Sequence, residues 1–164
     1  MEKLILGTEV MKYESEKELN SDDLFLLTTA RDSLFRAYAP YSRFRVAAAI
    51  RLANGQIVTG TNQENVAFPS GLCAERVAFF AAGHQFPEEK FDSVAIIARS
   101  EDFNMDHAAA PCGACRQVML EYRLKQTDPV RVILAGESGS ILIVKDVKDL
   151  LPLYFHEDAL KKGE

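Results

Sequence analysis

The chain has 164 residues, a mass of 18.3 kDa and a formal net charge of −5, with 48% hydrophobic and 26% charged residues. This length and composition are typical of one soluble globular domain, and they exclude a disordered or membrane-embedded chain because no apolar run reaches about 18 residues. The acidic balance and the scattered Lys and Arg argue against nucleic acid as a partner, and the lack of a signal-peptide pattern at the start predicts a cytoplasmic protein.

Residues 1–20 differ from the rest and form an N-terminal arm of unknown role, ahead of a single predicted domain over residues 21–164. In the arm, every second position carries an apolar residue or Thr, at Leu4, Leu6, Thr8 and Val10, an alternation that is typical of an edge strand. Ser21 then suits a helix N-cap, and the apolar spacing after it predicts a helix over residues 22–38, which Pro40 ends.

The remaining elements alternate between strands and helices. Residues 44–52 and 56–61 predict a hairpin, because Asn54-Gly55 between them favours a tight type I′ turn. A second helix over residues 73–82 stops at Gly83, a common helix terminator. Later strands are predicted over residues 93–98, 130–135 and 141–144, and a third helix over residues 112–125. This order predicts a three-layer α/β/α domain with a mixed sheet of about five strands and helices on both faces.

Three cysteines in a chain without an export signal argue for metal binding or catalysis rather than for disulfides. Cys112 and Cys115 lie three positions apart at a predicted helix start, so both thiols can reach one tetrahedral ion. A CxxC pair can equally be a redox dithiol, but a redox pair leaves Cys73 without a role. In this interpretation Cys73 supplies a third metal ligand.

Cys73 and Glu75 are two positions apart, which would send them to opposite sides of a regular helix. Both can face one metal ion only if Cys73 is the helix cap, with the Glu75 carboxylate reaching the open fourth coordination position. Three thiolates leave a zinc site with a negative net charge, and Arg76 is the candidate to offset this charge by donating to the sulfurs. The alternative for Arg76 is an ordinary surface arginine.

The segments Cys73-Ala74-Glu75 and Pro111-Cys112-Gly113-Ala114-Cys115 resemble the paired signature of the small cytidine deaminase family, and the likeness extends over residues 39–155. The resemblance implies Zn²⁺ as the cofactor and the three cysteines as its ligands. It also implies hydrolysis of cytidine and deoxycytidine to uridine and deoxyuridine with release of ammonia, a reaction of pyrimidine salvage.

Glu75 is the proton shuttle in the mechanism that the resemblance implies. Zinc lowers the pKa of its bound water from about 15.7 toward about 7, and Glu75 accepts the proton. The zinc-bound hydroxide attacks C4 of the base, while Glu75 delivers protons to the ring N3 and to the departing amine.

Asn62 and Glu64 lie in a stretch that is similar to the family's Asn-x-Glu-Asn segment, whose first Asn and Glu bind the ribose hydroxyl. A carboxylate at this position would repel a phosphate, which favours nucleosides over nucleotides. A polar loop after a strand is the alternative for this pair. The chain departs from the family pattern in its longer loop over residues 100–110. It also has Ala47 where Gly is common, Ser70 where Leu is common, and Phe68, a predicted substrate contact, where Tyr is common.

Tyr41-Ser42-Arg43-Phe44 is similar to a family segment in which the Phe44 ring would line the pyrimidine pocket, and Ala74 is a further predicted substrate contact. For Phe44 alone, core packing is the alternative. Residues 150–155 resemble the family's terminal segment, whose Phe stacks on the base in a neighbouring subunit's site. Phe155 therefore implies self-association, as a homotetramer or a dimer, and core packing is the alternative for this residue.

Two rival functions stay open. The first is a zinc deaminase for another aminated heterocycle, a nucleotide, a base within RNA or DNA, or a blasticidin-type drug. The second is a structural zinc module, which usually needs four protein ligands, or a catalytically dead binding protein. The candidate fourth ligands are His107, five positions before Cys112, and then His84 and His156, although all three suit ordinary surface histidines.

Overall fold

The computed structural model describes residues 1–157 and 160 of the protein. Its strands are β1 (Val10–Tyr13), β2 (Phe44–Leu52), β3 (Ile57–Thr61), β4 (Phe91–Ser100), β5 (Arg131–Ala135) and β6 (Ile141–Val144), and its α-helices are α1 (Ser21–Ser33), α2 (Ala74–Gln85) and α3 (Gly113–Arg123). Short 3₁₀ helices cover Glu16–Glu18, Leu34–Arg36, Phe68–Ser70 and Val147–Leu150. None of the helices in this part of the chain combines the length and the apolar character that crossing a bilayer requires.

The strands form one mixed sheet in the order β1-β6-β5-β4-β2-β3, with β4 and β5 parallel and the other neighbours antiparallel. Side chains of β2 alternate between two cores, so that Ala47 and Ala49 pack with α1, whereas Ala48 and Ile50 pack with α2 and α3. The three-layer α/β/α class with helices on both faces is confirmed. The sheet has six strands rather than about five, because the N-terminal arm adds β1 at one edge.

The predicted edge strand of the arm exists, but it lies later in the chain. β1 pairs with β6 over Val10–Tyr13, and the described residues before Val10 form no strand. The partner strand β6 has only four residues, which limits the length of the pairing. The arm is further held by the Thr8 hydroxyl, which donates to the Asp149 carbonyl, and by an ion pair between Glu16 and Arg31 of α1.

Helix α1 differs from its prediction at both ends. Its cap is Asn20 rather than Ser21, because the Asn20 side chain accepts a hydrogen bond from the Asp23 amide at 2.8 Å. The α-helix ends at Ser33 instead of near residue 38, since the chain tightens into the 3₁₀ conformation over Leu34–Arg36.

Two predicted glycine roles are wrong. In the Asn54-Gly55 pair only the glycine has a positive φ, 84°, and its amide bonds to the Leu52 carbonyl at 2.9 Å. The hairpin therefore closes through a three-residue loop with a glycine bulge rather than a type I′ turn. Helix α2 continues past Gly83, where the Tyr122 ring of α3 occupies the space that a side chain would need.

Gly60 of β3 is the point where α2 meets the sheet backbone to backbone. A Cβ on Gly60 would lie 2.7 Å from the Ala74 carbonyl oxygen and 2.8 Å from the Ala78 Cα, and neither atom can rotate away. We therefore expect Gly60→Ala to lower the free energy of unfolding by about 1–3 kcal/mol in denaturant titrations. Gly7→Ala is the matched control, because no atom lies within 4 Å of its Cβ. Equal stability of the two variants would contradict this contact.

Candidate metal centre and active site

Helices α2 and α3 begin side by side, and each is capped by a cysteine. Cys73 precedes α2 and Cys112 precedes α3, both with an extended backbone (φ −70°, ψ 152° and φ −67°, ψ 165°). Cys115 lies in the first turn of α3 and is fully buried. The three Sγ atoms all lie within 4.8 Å of one another. The structure therefore brings the three predicted ligands together, with Cys73 in the cap position that its spacing from Glu75 requires.

The sulfur triangle fits Zn²⁺. With Zn–S bonds of about 2.3 Å, thiolates of one tetrahedron lie about 3.8 Å apart, and three of them leave a fourth position open. Thiolate ligands also favour zinc over Mg²⁺ or Ca²⁺. Among the described residues, no histidine joins the cluster, so its geometry does not support a structural site completed by His84, His107 or His156.

The acid–base properties of the thiols show why a cation suits this cluster. A hydrogen bond from Cys115 lowers the pKa of Cys73 to about 5, with help from Arg76, although burial opposes the shift. The same interaction with Cys73 raises the pKa of Cys115, and burial raises it further. The cluster therefore favours a thiolate at Cys73 and disfavours a second negative charge at Cys115. A divalent cation between the sulfurs would remove this repulsion.

Arg76 lies against the cysteine cluster. Its Nη2 donates to Cys73 Sγ at 3.7 Å, and this hydrogen bond raises the pKa of Arg76. Its Nε is buried and has no hydrogen-bond partner within the described ranges. The guanidinium is thus held beside the sulfurs, where its positive charge offsets theirs, rather than extended into solvent.

Glu75 is a buried carboxylate, with only 5% of its surface exposed. Burial raises the pKa of Glu75 above its usual range, and the negative charge on Cys73 adds to the shift. Hydrogen bonds from the backbone and from Cys115, together with the charge of Arg76, oppose the shift in part. A raised pKa brings a carboxyl group closer to the range in which it can both accept and donate a proton, the property that a general acid–base group needs.

A cavity of about 480 Å³ opens in front of Glu75. Glu75 and Cys112 share its wall with the Phe44 ring, and the lining is completed by Val46, Ile96, Met105, His107, Ala108, Ala109 and Ala110. An aromatic ring and apolar groups around one carboxylate suit a flat heteroaromatic base. Ala74, between Cys73 and Glu75, has no exposed surface.

A second cavity of about 520 Å³ is lined by two of the predicted substrate contacts, Glu64 and Phe68, and its lining also includes Cys73 and Arg76. Glu64 accepts hydrogen bonds from the Tyr41 amide at 2.9 Å, from the Ser42 amide at 3.2 Å and from the Ser42 hydroxyl. Partial burial raises the pKa of Glu64, but these hydrogen bonds outweigh it and lower the pKa below its usual range. The cavity therefore contains a fixed negative charge.

Asn62 and Phe155 line neither cavity. The Asn62 side chain donates to the Phe44 carbonyl and accepts from the Val46 amide, each at 2.8 Å, so it braces the start of β2. Phe155 is 72% exposed, and its carbonyl accepts a hydrogen bond from Gln117 at 3.2 Å. Within one chain, the structure does not bring Phe155 to the cysteine cluster.

The segment between β4 and α3 contributes site residues that sequence reasoning did not single out. Met105 lines the Glu75 cavity, and Phe103 stacks on Phe44 with ring centroids 6.2 Å apart. The sequence marks this segment by its length and by His107 as a candidate zinc ligand, but it contains no motif that indicates a contact with β2.

Comparison with known proteins agrees with this site. A family model described as the cytidine and deoxycytidylate deaminase zinc-binding region matches residues 20–128. The chain is 37% identical over 131 residues to a cytidine deaminase of Halalkalibacterium halodurans, which covers 80% of this chain and 92% of that protein. It is 39% identical over 135 residues to a cytidine deaminase of Sporosarcina psychrophila, and the match covers 82% of this chain and 92% of that protein.

Solved structures give the same result. The crystal structure of cytidine deaminase from Burkholderia pseudomallei superposes with a TM-score of 0.69 at 33% identity, covering 84% of this chain and all of that one. Cytidine deaminase from Mycobacterium tuberculosis superposes with a TM-score of 0.65 at 31% identity and 84% coverage of this chain. The cysteine cluster, the fold and these matches together show that the chain belongs to the family defined by the cytidine and deoxycytidylate deaminase zinc-binding region.

Proposed function

We propose that the protein is a zinc-dependent hydrolase that converts cytidine and deoxycytidine to uridine and deoxyuridine with release of ammonia. The observation that carries this proposal is the buried Glu75 carboxylate, which lies beside the three-cysteine cluster and lines a cavity with Phe44. The relatives named cytidine deaminase support the choice of substrate, because they share most of the chain's length.

The metal-binding residues in this proposal are Cys73, Cys112 and Cys115. A bound zinc ion supplies a water of lowered pKa and the charge that polarises it. Glu75 would take one proton from the attacking water and pass it to the ring N3, and would then carry the second proton of that water from the new C4 hydroxyl to the departing amine. The C4–N4 bond breaks and a C4–O bond forms, so that water and the nucleoside give the uracil product and ammonia. Arg76, whose Nη2 donates to Cys73 Sγ, stabilises the negative charge on the cysteine sulfurs.

The substrate is proposed to lie across both cavities, with its base in the Glu75 cavity against Phe44 and beside Ala74. Its sugar would meet Glu64 and Phe68, while Asn62 braces the strand that carries Phe44. Phe155 is proposed to enter the site of a second copy in a homotetramer or a dimer, which its exposure within one chain allows.

Nucleosides are proposed over nucleotides because of Glu64. The matched family includes deaminases of both cytidine and deoxycytidylate, so family membership does not decide between them. The lowered pKa of Glu64 keeps a negative charge in the sugar-side cavity, and a phosphate brought there would be repelled.

The domain division and cellular setting also belong to the proposal. We propose residues 1–20 as an added arm and residues 21–164 as the deaminase domain, of which residues 158–159 and 161–164 lie outside the described residues. The family match begins at residue 20, although β1 of the arm shares the sheet of the domain. Pyrimidine salvage in the cytoplasm is the proposed role.

A comparison of substrates tests this function. Ammonia release by the zinc-loaded protein is measured with cytidine, deoxycytidine, deoxycytidine 5′-monophosphate and a blasticidin-type drug. We expect kcat/KM of at least about 10⁴ M⁻¹s⁻¹ for the two nucleosides, and at least about 100-fold less for the monophosphate because of repulsion by Glu64. Preferred turnover of the monophosphate or of the drug would contradict the proposal.

A further inference from the structure

The Phe44 ring, which lines the cavity in front of Glu75, is covered by a second aromatic ring from a distant segment. Phe103, between β4 and α3, stacks on Phe44 with ring centroids 6.2 Å apart and planes inclined by 26°. Phe44 is half-buried, whereas Phe103 is 57% exposed. An aromatic side chain that stays this exposed contributes little to the core, and the ring contact that it makes is with Phe44.

The residues before Phe103 also hold the backbone that leads into Phe44. Arg43 has φ 53°, the left-handed conformation that a residue with a Cβ rarely adopts. The Arg43 side chain forms ion pairs with Glu101 at 3.3 Å and with Asp102 at 2.8 Å, and the Arg43 carbonyl accepts from the Glu101 amide at 3.1 Å. The same short segment therefore contacts both the strained residue and the ring that follows it.

The far end of the segment is fastened to the turn between β5 and β6. Any side chain on Gly136 or Gly139 would clash with the backbone of residues 105–107, and Gly139 also has φ +85°. The Ser138 amide donates to the Met105 carbonyl at 3.1 Å, and the Ala109 amide donates to the Ala135 carbonyl at 3.2 Å. Phe103 is thus carried by a segment that is anchored on both sides.

We propose that Phe103 is a positioning residue for the base pocket, and that its stacking on Phe44 holds the Phe44 ring in the orientation that meets the pyrimidine. This inference rests on the proposed function, because it assigns Phe44 to the base. A preordered ring spares the substrate the cost of ordering it on binding. The Phe44 ring contacts the base before and during the reaction alike, so the effect falls on KM and product affinity rather than on kcat.

The test compares Phe103→Ala with Phe103→Tyr, which keeps the ring, and with Phe25→Ala, which removes an exposed ring from α1 on the other face of the sheet. Steady-state kinetics with cytidine and calorimetric titration with uridine are measured on zinc-loaded protein. We expect Phe103→Ala to raise KM and the uridine Kd about 2- to 10-fold, the range of one aromatic pair. Its kcat should stay within about 2-fold, and the other two variants should match wild type.

A double-mutant cycle separates positioning from a general structural effect. In a Phe44→Leu background, Phe103→Ala should change KM by less than about 2-fold, since the ring that it positions is gone. Phe103→Leu replaces the alanine variant if that protein does not fold. An unchanged KM in wild-type background, a loss confined to kcat, or an equal effect without Phe44 would each overturn the positioning role while leaving the deaminase assignment intact. A zinc-loaded wild type that deaminates neither cytidine nor deoxycytidine would overturn both.

Discussion

The Glu75→Gln variant should keep its zinc and turn over cytidine about 10²- to 10⁴-fold more slowly than wild type. The amide fills the space of the carboxylate, but it can neither accept a proton from the attacking water nor carry one to the base. Glu75 is the only carboxylate that lines the cavity with Phe44 and Cys112 in the described part of the chain, so no neighbour replaces it. The measurement is single-turnover and steady-state conversion of cytidine, with zinc content determined on the same sample.

The matched control for this variant is Glu121→Gln, which makes the same change at an exposed position of α3. It should retain wild-type turnover. Because Glu75 contacts the cysteine cluster without being a zinc ligand in the proposed mechanism, equal zinc content in both variants is part of the prediction. A Glu75→Gln protein that deaminates cytidine at the wild-type rate would remove Glu75 from the mechanism.

The Cys115→Ser variant should lose both zinc and activity. Cys115 is fully buried in the first turn of α3, and its Sγ is one corner of the sulfur triangle. Two remaining thiolates bind zinc far more weakly than three, and metal-binding free energy is also folding free energy in such a site. We expect zinc content near zero after dialysis, no measurable turnover, and a melting temperature that no longer responds to a chelator.

Ala114→Ser is the control for the cysteine variant, because it introduces the same hydroxyl at the exposed position between the two ligands of α3. This protein should bind zinc, and its melting temperature should fall when a chelator is added, as that of wild type should. Full zinc content and turnover in Cys115→Ser would show that the sulfur triangle is not the metal site.

The geometry of the metal centre could be predicted from sequence because it depends on short-range spacing at two helix starts. Cys112 and Cys115 share one helical turn, and the short interval from Cys73 to Glu75 required Cys73 to be a cap, the position in which the structure has it. The strands of the first hairpin could also be predicted, since Asn54-Gly55 marks the turn between them locally. Local patterns therefore located most of the elements that carry the site.

What could not be predicted depends on contacts between distant segments. Gly83 looked like a helix terminator, but it makes room for Tyr122, a neighbour that no local pattern reveals. The edge strand lies at Val10–Tyr13, later than its predicted position, because the pairing with β6 determines which residues of the arm form it. The stacking of Phe103 on Phe44 joins residues far apart in sequence, and the loop that carries Phe103 has no periodicity that would indicate the contact.

The ultraviolet spectrum of cytidine incubated with purified protein of known zinc content, with and without a strong chelator, tests whether the protein is a zinc-dependent cytidine deaminase. We expect about one zinc ion per chain and conversion of cytidine to uridine, which the chelator abolishes and added zinc restores. Protein that holds its zinc and leaves both cytidine and deoxycytidine unchanged would contradict this assignment.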